Sequence, residues 1–423
     1  MRPNELASGI LSGAHDEALK AVYGNSADIN AIRVRYAKCI DKFSDNYGKD
    51  HDVSVFSVSG RSEISGNHTD HNRGRVIAAS INLDIIAVAA KNENEVIRVK
   101  SLAFAEDVFK PGDRIRKNNS HALIAGVYDG FIKNGYKAGG FYAYTESHVL
   151  KGSGLSSSAA FENAIGTVLN YLYNDGGVDF VKLAQISQYA ENVFFGKPSG
   201  LMDQIACASG GFVGIDFRDP SNPEITRLGV DLDDYGINLV IINTGGSHAN
   251  LTGDYASVPS EMKSVAAFFG KTVLREVEED KFYASLSAVR TACGDRAVLR
   301  AHHFFCENRR VASQLDALKA GDIDQFLSLV RESGRSSQIW LQNIFACSAP
   351  SEQGLSVGLM LCERLLSDKR AAWRVHGGGF AGTVQAFVPK EYISEFVRTV
   401  SEVFGENSCL VLGIRSAGAT KVI

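Results

Sequence analysis

Apolar residues follow two kinds of pattern along the chain, short runs and longer stripes. Short runs rich in valine and isoleucine, which are typical of strands, occur in the first half at 53–58, 84–90 and 95–100. A stripe with helical spacing follows them, at Phe161, Ala164, Ile165, Val168, Leu169 and Leu172. Apolar residues that recur every three or four positions predict one face of a helix. The stretch 180–194 repeats this pattern less cleanly.

The second half of the chain predicts strands and helices in blocks. The strand-like runs GFVGID and NLVIIN come first, helical stretches follow over about 285–332, and strands return around 383–388. This order is typical of α+β domains and not of a regular βαβ array. The chain has 423 residues, too many for one ordinary core, so we expect two domains with a cleft between them.

Composition and charge exclude several classes of function. Apolar residues make up 45% of the chain and charged residues 22%, as in globular proteins with a substantial core. A net charge of -4 provides no field that would concentrate a nucleic acid. The start of the chain lacks the apolar segment of a signal peptide, and no later stretch approaches the ~20 apolar residues of a membrane span. We therefore expect a cytoplasmic protein without nucleic-acid or membrane partners.

The segment KGSGLSSSAA, residues 151–160, places small residues directly before the first strong helix. Unpaired backbone N–H groups at a helix start attract anions, and glycines let the main chain approach phosphate oxygens. The hydroxyls of Ser156, Ser157 and Ser158 can add hydrogen bonds or a magnesium contact. Taken alone, the segment fits a phosphate site and a plain helix start with serine capping about equally well.

Three other segments look like known sites but lack the required context. The run GGGFAGTV, residues 377–384, fits a dinucleotide or protein-kinase glycine motif, yet it leads into a strand near the end of the chain. We interpret it as a tight glycine turn that faces a ligand. The triplet 270–272 lacks the first glycine of a P-loop, and the His and Cys residues of 302–306 lie in helical sequence without further metal ligands.

The segment GRSEISGNHTDHNRG, residues 60–74, concentrates polar side chains between two predicted strands. It contains a cation, Arg61, two imidazoles, His68 and His71, and a carboxylate, Asp70. Such a density of donors and acceptors is what a polyhydroxylated ligand requires. The alternative is a solvated loop.

The segment GKPSGLMDQIACASG, residues 196–210, contains one acid, Asp203, among small and apolar residues. An unpaired carboxylate would be costly in such surroundings. Asp203 is therefore predicted to be a member of an ion pair or a catalytic group.

These segments, together with AEN at 190–192 and RVHGGGFAG at 374–382, resemble in order and spacing the signature motifs of galactokinases in the GHMP kinase superfamily. The resemblance covers about 54–388. It implies an α+β, two-domain GHMP kinase fold, with an N-terminal domain over 1–204, a C-terminal domain over 205–423 and the active site in the interdomain cleft. It also implies that the chain transfers the γ-phosphoryl group of MgATP to the anomeric hydroxyl of galactose. We expect the protein to be a monomer.

The resemblance also implies roles for individual residues. Asp203 accepts the proton of the anomeric hydroxyl, and Arg61 stabilises the developing negative charge. Glu191 and Ser157 hold Mg²⁺. The residues that bind ATP are Gly152, Ser153, Gly154, Leu155, Ser156, Ser157 and Ser158. Those that bind the sugar are Asn67, His68, Asp70, Gly200 and Tyr255.

Several positions depart from the family pattern. Asn67 stands where galactokinases usually have a glutamate that contacts the 6-hydroxyl of the sugar. The other departures are His71, Leu150, His376 and Ala381. A kinase for a C6-modified sugar such as galacturonate is therefore an alternative. A non-catalytic sugar sensor is a second, although the intact catalytic and magnesium residues argue against it. Mevalonate and homoserine kinases, a third, lack the GNHTDHN-type loop.

Overall fold

The structure, a computed structural model, describes residues 1–24, 27–115, 117–150, 154–246 and 251–423. Helices and strands both occur along the whole chain, and this mixed composition confirms the predicted fold class. The helices are α1 Pro3–Leu11, α2 Asp16–Tyr23, α3 Ile29–Tyr47, α4 Ser120–Lys133, α5 Ser157–Asn174, α6 Phe180–Tyr189, α7 Met202–Ser209, α8 Thr252–Phe268, α9 Glu279–Ala284, α10 Leu286–Cys293, α11 Asp295–Ala320, α12 Ile323–Ser336, α13 Gly354–Leu366 and α14 Ile393–Phe404. The strands are β1 Ser54–Ser65, β2 Arg75–Lys91, β3 Ile97–Ser101, β4 Glu106–Phe109, β5 Phe141–Ser147, β6 Phe212–Asp216, β7 Glu224–Leu228, β8 Ile237–Asn243, β9 Ala372–His376, β10 Thr383–Pro389, β11 Cys409–Leu412 and β12 Thr420–Lys421.

The chain packs into two compact units, each assembled from more than one stretch of sequence. The first unit comprises Met1–Arg61, Ala79–Gly211 and Arg415–Ile423. The second comprises Ser62–Ala78 and Phe212–Ile414. The domain boundary predicted between residues 204 and 205 stays a prediction, because these units interleave along the sequence.

The first unit contains a sheet with the strand order β12-β1-β2-β5-β3-β4. Strand β2 explains how this sheet is buried on both sides. Ala87 and Ala89 belong to the core formed with α4, α5 and α6, whereas Ile86 and Val88 belong to the core formed with α1 and α3. Because successive side chains of a strand point to opposite faces, a continuous apolar run predicts such a two-sided strand.

The second unit contains an antiparallel sheet with the order β11-β8-β10-β9. Apolar residues of this sheet pack with those of α13 and α14 in one core, and helices α8 to α11 form another. The glycine run 377–382 connects β9 to β10 as a tight turn, as the sequence predicts. A Cβ at Gly379, where φ is 78°, would lie 2.2 Å from the carbonyl oxygen of Asn343.

The predicted helical stripe and its imperfect repeat correspond to different helical geometries. In α5, the stripe residues Ala164, Ile165, Val168 and Leu169 are all buried, which confirms the prediction. Helix α6 ends at Tyr189, and the chain continues as a π-helical turn over Ala190–Phe195. The wider turn changes the spacing of buried positions and explains the irregular pattern of 180–194.

The C-terminal segment of the first unit is fixed by a buried ion cluster. The Asp84 carboxylate accepts hydrogen bonds from Arg35 at 2.6 Å and from Arg415 at 3.1 Å. Asp84 and Arg415 are both fully buried. Burial would raise the pKa of Asp84, but the two guanidinium groups outweigh it and hold that pKa below its ordinary value.

In the part of the chain that the structure describes, no helix has both the length and the apolar character needed to cross a membrane.

We expect Asp84→Ala to lower the free energy of unfolding by about 3–5 kcal/mol, because it leaves a buried guanidinium unpaired. Urea unfolding at neutral pH measures this change. Asp52→Ala is the control, since the Asp52 side chain is 81% exposed, and it should change stability by about 0.5 kcal/mol or less. A similar small loss for both variants would contradict the role of the cluster.

Candidate active site

Arg61 and Asp203 form the central contact of the candidate site in the first unit. Asp203 lies in the first turn of α7, and its Oδ1 accepts a hydrogen bond from Arg61 Nε at 2.8 Å. Arg61 also donates from Nη1 to the Gly154 carbonyl, and its backbone N–H donates to the Leu155 carbonyl at 3.2 Å. Arg61 thereby connects β1 to the segment before α5 and to the start of α7.

The Asp203 carboxylate is held in its ionised form. Burial would raise its pKa, but the charge and hydrogen bond of Arg61, with help from Ser156 and Lys197, hold the pKa below its ordinary value. Asp203 is therefore negatively charged at neutral pH. A carboxylate in this state accepts hydrogen bonds strongly but takes up a proton only weakly.

The start of α5 does not use the serine cap that its sequence favours. Ser156 is the N-cap residue, yet its side chain makes no capping hydrogen bond. Its hydroxyl donates to Asp203 Oδ2 instead. Ser156 also has a left-handed backbone, with φ 58° and ψ 56°, which is uncommon for a residue other than glycine. The local structure therefore turns this hydroxyl toward the acid and not toward the helix.

Glu191 lies at the centre of a second polar cluster in the first unit. Its Oε1 accepts from Ser158 Oγ at 3.1 Å and from Lys197 Nζ at 2.9 Å, and its Oε2 accepts from Gln204 Nε2 at 2.9 Å. The π-helical turn buries this carboxylate, of which 3% of the side-chain surface is exposed. The Lys197 ammonium adds a positive charge that the sequence reasoning did not anticipate.

Glu162 is a further acid that the sequence reasoning missed. It is fully buried in α5, and Gln204 Nε2 donates to its Oε2 at 3.3 Å while also donating to Glu191. Burial, with the negative charge of Glu191, raises the pKa of Glu162 well above its ordinary value. Burial therefore favours the neutral form of Glu162. Its position one residue after Phe161 in the apolar stripe is the only signal of this burial in the sequence.

The other ATP-site residues predicted in the first unit have varied surroundings. Ser157 begins α5 and is half-buried, and Leu155 is buried. Gly154 is exposed, as is Gly200, which was predicted to bind the sugar. Gly152 and Ser153 lie outside the described residues.

In the second unit, Asn67 is buried and fully engaged with protein groups. Its Nδ2 donates to Glu63 Oε1 at 3.1 Å and to the Gly377 carbonyl at 2.7 Å. Its Oδ1 accepts from Asn343 at 2.7 Å and from Ser337 at 3.3 Å. No part of Asn67 is exposed. This amide positions the loop and leaves no polar atom for a ligand.

His68 and Asp70, which follow Asn67 in this loop, differ in their contacts. His68, with a left-handed φ of 58°, donates from Nε2 to the Gly378 carbonyl at 2.8 Å. Asp70 begins a short 3-10 turn, Asp70–Asn72, and its side chain is 22% exposed. Asp70 Oδ1 lies 3.9 Å from His71 Nε2, and the carboxylate oxygens can accept hydrogen bonds from hydroxyl donors.

Tyr255 contacts the glycine turn between β9 and β10. Its hydroxyl donates to the Gly379 carbonyl at 2.7 Å, and its ring packs edge-on against Phe380 with 5.2 Å between centroids. A Cβ at Gly378 would lie 2.6 Å from this ring. Tyr255 therefore has a structural contact with the turn, in addition to its predicted contact with the sugar.

Glu307 and His303 form a buried hydrogen-bond network that contacts the loop around Asn67. Glu307 Oε1 accepts from the Gly66 backbone N–H at 3.1 Å and from Ser333 Oγ at 2.5 Å. Burial opposes ionisation of Glu307, but Arg310 outweighs it and the pKa falls to about 2. His303 donates from Nε2 to the Asn67 carbonyl at 2.9 Å, and its Nδ1 accepts from a serine hydroxyl. Both ring nitrogens of His303 are therefore engaged with protein groups.

Comparisons with known families match segments that contain the residues described above. Residues 122–211 match the GHMP kinases N terminal domain, and residues 41–91 match the galactokinase galactose-binding signature. A galactokinase of Actinobacillus pleuropneumoniae is 31% identical over 368 residues, which cover 85% of this chain and 91% of that protein. A galactokinase of Streptomyces coelicolor is 28% identical over 399 residues, covering 90% and 97%.

Solved structures also match this chain over most of its length. The Lactococcus lactis galactokinase, crystallised with galactose, matches with a TM-score of 0.76 and 25% identity, over 92% of this chain and 100% of that chain. A mevalonate kinase matches with a TM-score of 0.60 at 12% identity, over 86% of this chain and 99% of that chain. The second likeness shows the fold alone.

We expect the pH dependence of stability to reveal His303. Burial lowers the pKa of His303 to about 4, so the unfolded chain takes up a proton near pH 6.5 that the folded chain refuses until about pH 4. The stability that neutral His303 contributes is therefore present above pH 6.5 and lost as the pH falls toward 4, by up to about 3 kcal/mol.

Urea unfolding between pH 7 and pH 4.5 measures this loss in the wild type and in His303→Gln. Glutamine retains hydrogen-bonding groups but does not titrate, so the variant should lose less stability over this range. Parallel curves for the two proteins would contradict the assignment.

Proposed function

The chain belongs to the galactokinase family of the GHMP kinases, and on this premise we propose that it transfers the γ-phosphoryl group of ATP to the anomeric hydroxyl of galactose. The products are galactose 1-phosphate and ADP. The observation that carries the proposal is the ionised Asp203 beside Arg61, with 2.8 Å between the guanidinium and the carboxylate. A non-catalytic sensor has no need to keep such a pair charged.

We assign Asp203 to the sugar hydroxyl and Arg61 to the charge that develops during transfer. Phosphoryl transfer depends mainly on alignment and on charge neutralisation. Because its pKa is low, Asp203 orients the hydroxyl by accepting its hydrogen bond and receives the proton only as the new bond to phosphorus forms. Arg61 stays protonated throughout and offsets the negative charge at the reacting oxygen.

We assign phosphate binding to the segment that leads into α5. The backbone N–H groups at the start of this 18-residue helix and the adjacent glycines suit phosphate oxygens. Ser157 and Ser158 add hydroxyl donors at the same end of the helix. The proposal places ATP here and the sugar at His68, Asp70, Gly200 and Tyr255. Asn67, predicted from the sequence to contact the sugar, instead uses its amide to position the loop.

The residues around Glu191 fit Mg²⁺. The donor set consists of a carboxylate and serine hydroxyls, which are the hard oxygen ligands that Mg²⁺ prefers. Glu191 Oε1 already faces a positive charge, the ammonium of Lys197. Within the described ranges, no group of three His, Cys, Asp or Glu side chains forms a metal cage, and an ion held mainly by phosphates and water requires none. When bound, Mg²⁺ neutralises phosphate charge and fixes its geometry.

The proposal also includes a cytoplasmic location, where ATP is supplied to metabolic kinases. The monomeric state predicted from the sequence stays a prediction.

We expect Asp203→Asn to lower kcat by roughly a thousandfold or more, because the amide cannot receive the proton of the sugar hydroxyl. The affinity for ATP, measured by calorimetry, should stay within about threefold of wild type. Asp219→Asn, at an exposed loop position, is the matched control and should retain wild-type turnover. Near wild-type kcat in Asp203→Asn would remove Asp203 from catalysis.

We expect variants at Glu191 and Lys197 to shift the magnesium requirement in opposite directions. Glu191→Gln removes the charge that attracts the cation, so the Mg²⁺ concentration for half-maximal activity should rise about tenfold. Lys197→Met removes the ammonium that competes for Glu191 Oε1. The Mg²⁺ concentration for half-maximal activity should therefore fall in this variant. Shifts in the same direction, or none, would contradict the assignment of the metal to Glu191.

A further inference from the structure

The carboxylate nearest to Asn67 is that of Glu63, four residues earlier in the chain. Glu63 Oε1 accepts from Asn67 Nδ2 at 3.1 Å and from Arg374 Nη2 at 3.2 Å. The Glu63 side chain is 10% exposed, and Arg374 is fully buried. The negative charge that position 67 lacks is therefore present in the same cluster, on a neighbouring side chain.

The two oxygens of Glu63 have different surroundings. Oε1 accepts both hydrogen bonds, whereas among the described residues no donor bonds to Oε2. Because 10% of the Glu63 side chain is exposed, Oε2 can accept a hydrogen bond from a small molecule. The Asn67 and Arg374 contacts fix one end of the carboxylate and leave the other available to accept a hydrogen bond.

Glu63 lies close to residues already assigned to the sugar. Burial lowers the pKa of His68, while the Gly378 carbonyl and the charges of Glu63 and Asp70 oppose that change. The hydrogen bonds of the loop agree with this proximity, since Asn67, the partner of Glu63, donates to the Gly377 carbonyl and His68 donates to the adjacent Gly378 carbonyl. His71 acts with burial and lowers the pKa of His68.

We propose that Glu63 Oε2 accepts the hydrogen bond of the sugar's 6-hydroxyl, a role that the family resemblance assigns to a glutamate at position 67. The inference rests on the proposed galactokinase function and makes it more specific. A hydroxymethyl group at C6 donates to a carboxylate, whereas a carboxylate at C6 would place two negative charges together. Glu63 therefore selects galactose over galacturonate, with Asn67 and Arg374 as positioning residues.

The first test compares galactose with 6-deoxygalactose, which lacks only the 6-hydroxyl. We expect Glu63→Gln to raise KM for galactose about 10- to 100-fold, as loss of a hydrogen bond to a charged group predicts, and to change kcat by less than about threefold. KM for 6-deoxygalactose should change much less. Discrimination against galacturonate should weaken in the same variant.

The second test exchanges the carboxylate and the amide between positions 63 and 67. The double variant Glu63→Asn with Asn67→Glu keeps one carboxylate and one amide, so KM for galactose should return to within about fivefold of wild type. Asn67→Glu alone, which places two carboxylates next to each other, should bind galactose more weakly than the double variant. Thermal unfolding of each variant verifies that it is folded before the sugars are compared.

The outcomes separate this inference from the proposed function. Equal increases in KM for galactose and 6-deoxygalactose in Glu63→Gln would show that Glu63 is only a partner of Arg374, and would overturn the inference while the kinase activity stands. A wild-type preference for galacturonate would also overturn it. If wild type phosphorylates none of these sugars, the proposed function fails, and calorimetric binding of galactose and 6-deoxygalactose to wild type and Glu63→Gln still decides the inference.

Discussion

The energetic cost of placing a carboxylate in poorly hydrated surroundings governs both units of this protein. Burial favours the neutral acid, so a buried carboxylate stays charged where a nearby positive charge outweighs desolvation. Three acids whose pKa is lowered despite burial have guanidinium partners: Asp203 has Arg61, Asp84 has Arg35 and Arg415, and Glu307 has Arg310. One pair belongs to the candidate site, one fixes the C-terminal segment and one supports the polar loop. The same physical balance therefore operates at the candidate site, at the C-terminal segment and next to the polar loop.

Glu162 shows what happens where no guanidinium is a partner. Its only described hydrogen bond comes from the amide of Gln204, and its pKa is raised well above the ordinary value. Two neighbouring acids, Glu162 and Glu191, thus differ in their surroundings, because Lys197 lies 2.9 Å from Glu191. Because burial favours its neutral form, Glu162 adds less negative charge beside the candidate metal site than an ionised acid would.

Sequence reasoning succeeded where a periodic pattern or a motif carries the information. The α5 stripe, the strand at 383–388 and the pairing of Asp203 with a cation follow from patterns of polarity. It failed where tertiary partners decide the role. No local pattern indicates that the Ser156 hydroxyl does not cap the helix, or that the Asn67 amide forms its hydrogen bonds with protein groups. Glu63 gave no signal, because its importance comes from Arg374, more than 300 residues away.

Backbone strain at Ser156 shows which interaction the sequence favours at this position. A left-handed conformation costs a residue with a Cβ about 1–2 kcal/mol, a cost that glycine avoids. The hydroxyl of Ser156 bonds to ionised Asp203, and hydrogen bonds to charged groups contribute about 1.5–3 kcal/mol. The contact therefore offsets the strain, whereas glycine would relieve the strain and lose the contact. Serine at this position supports the charged state of Asp203 directly, since its hydrogen bond also lowers the pKa of that carboxyl. Ser156 therefore adds to the larger effect of Arg61, which keeps Asp203 ionised despite burial.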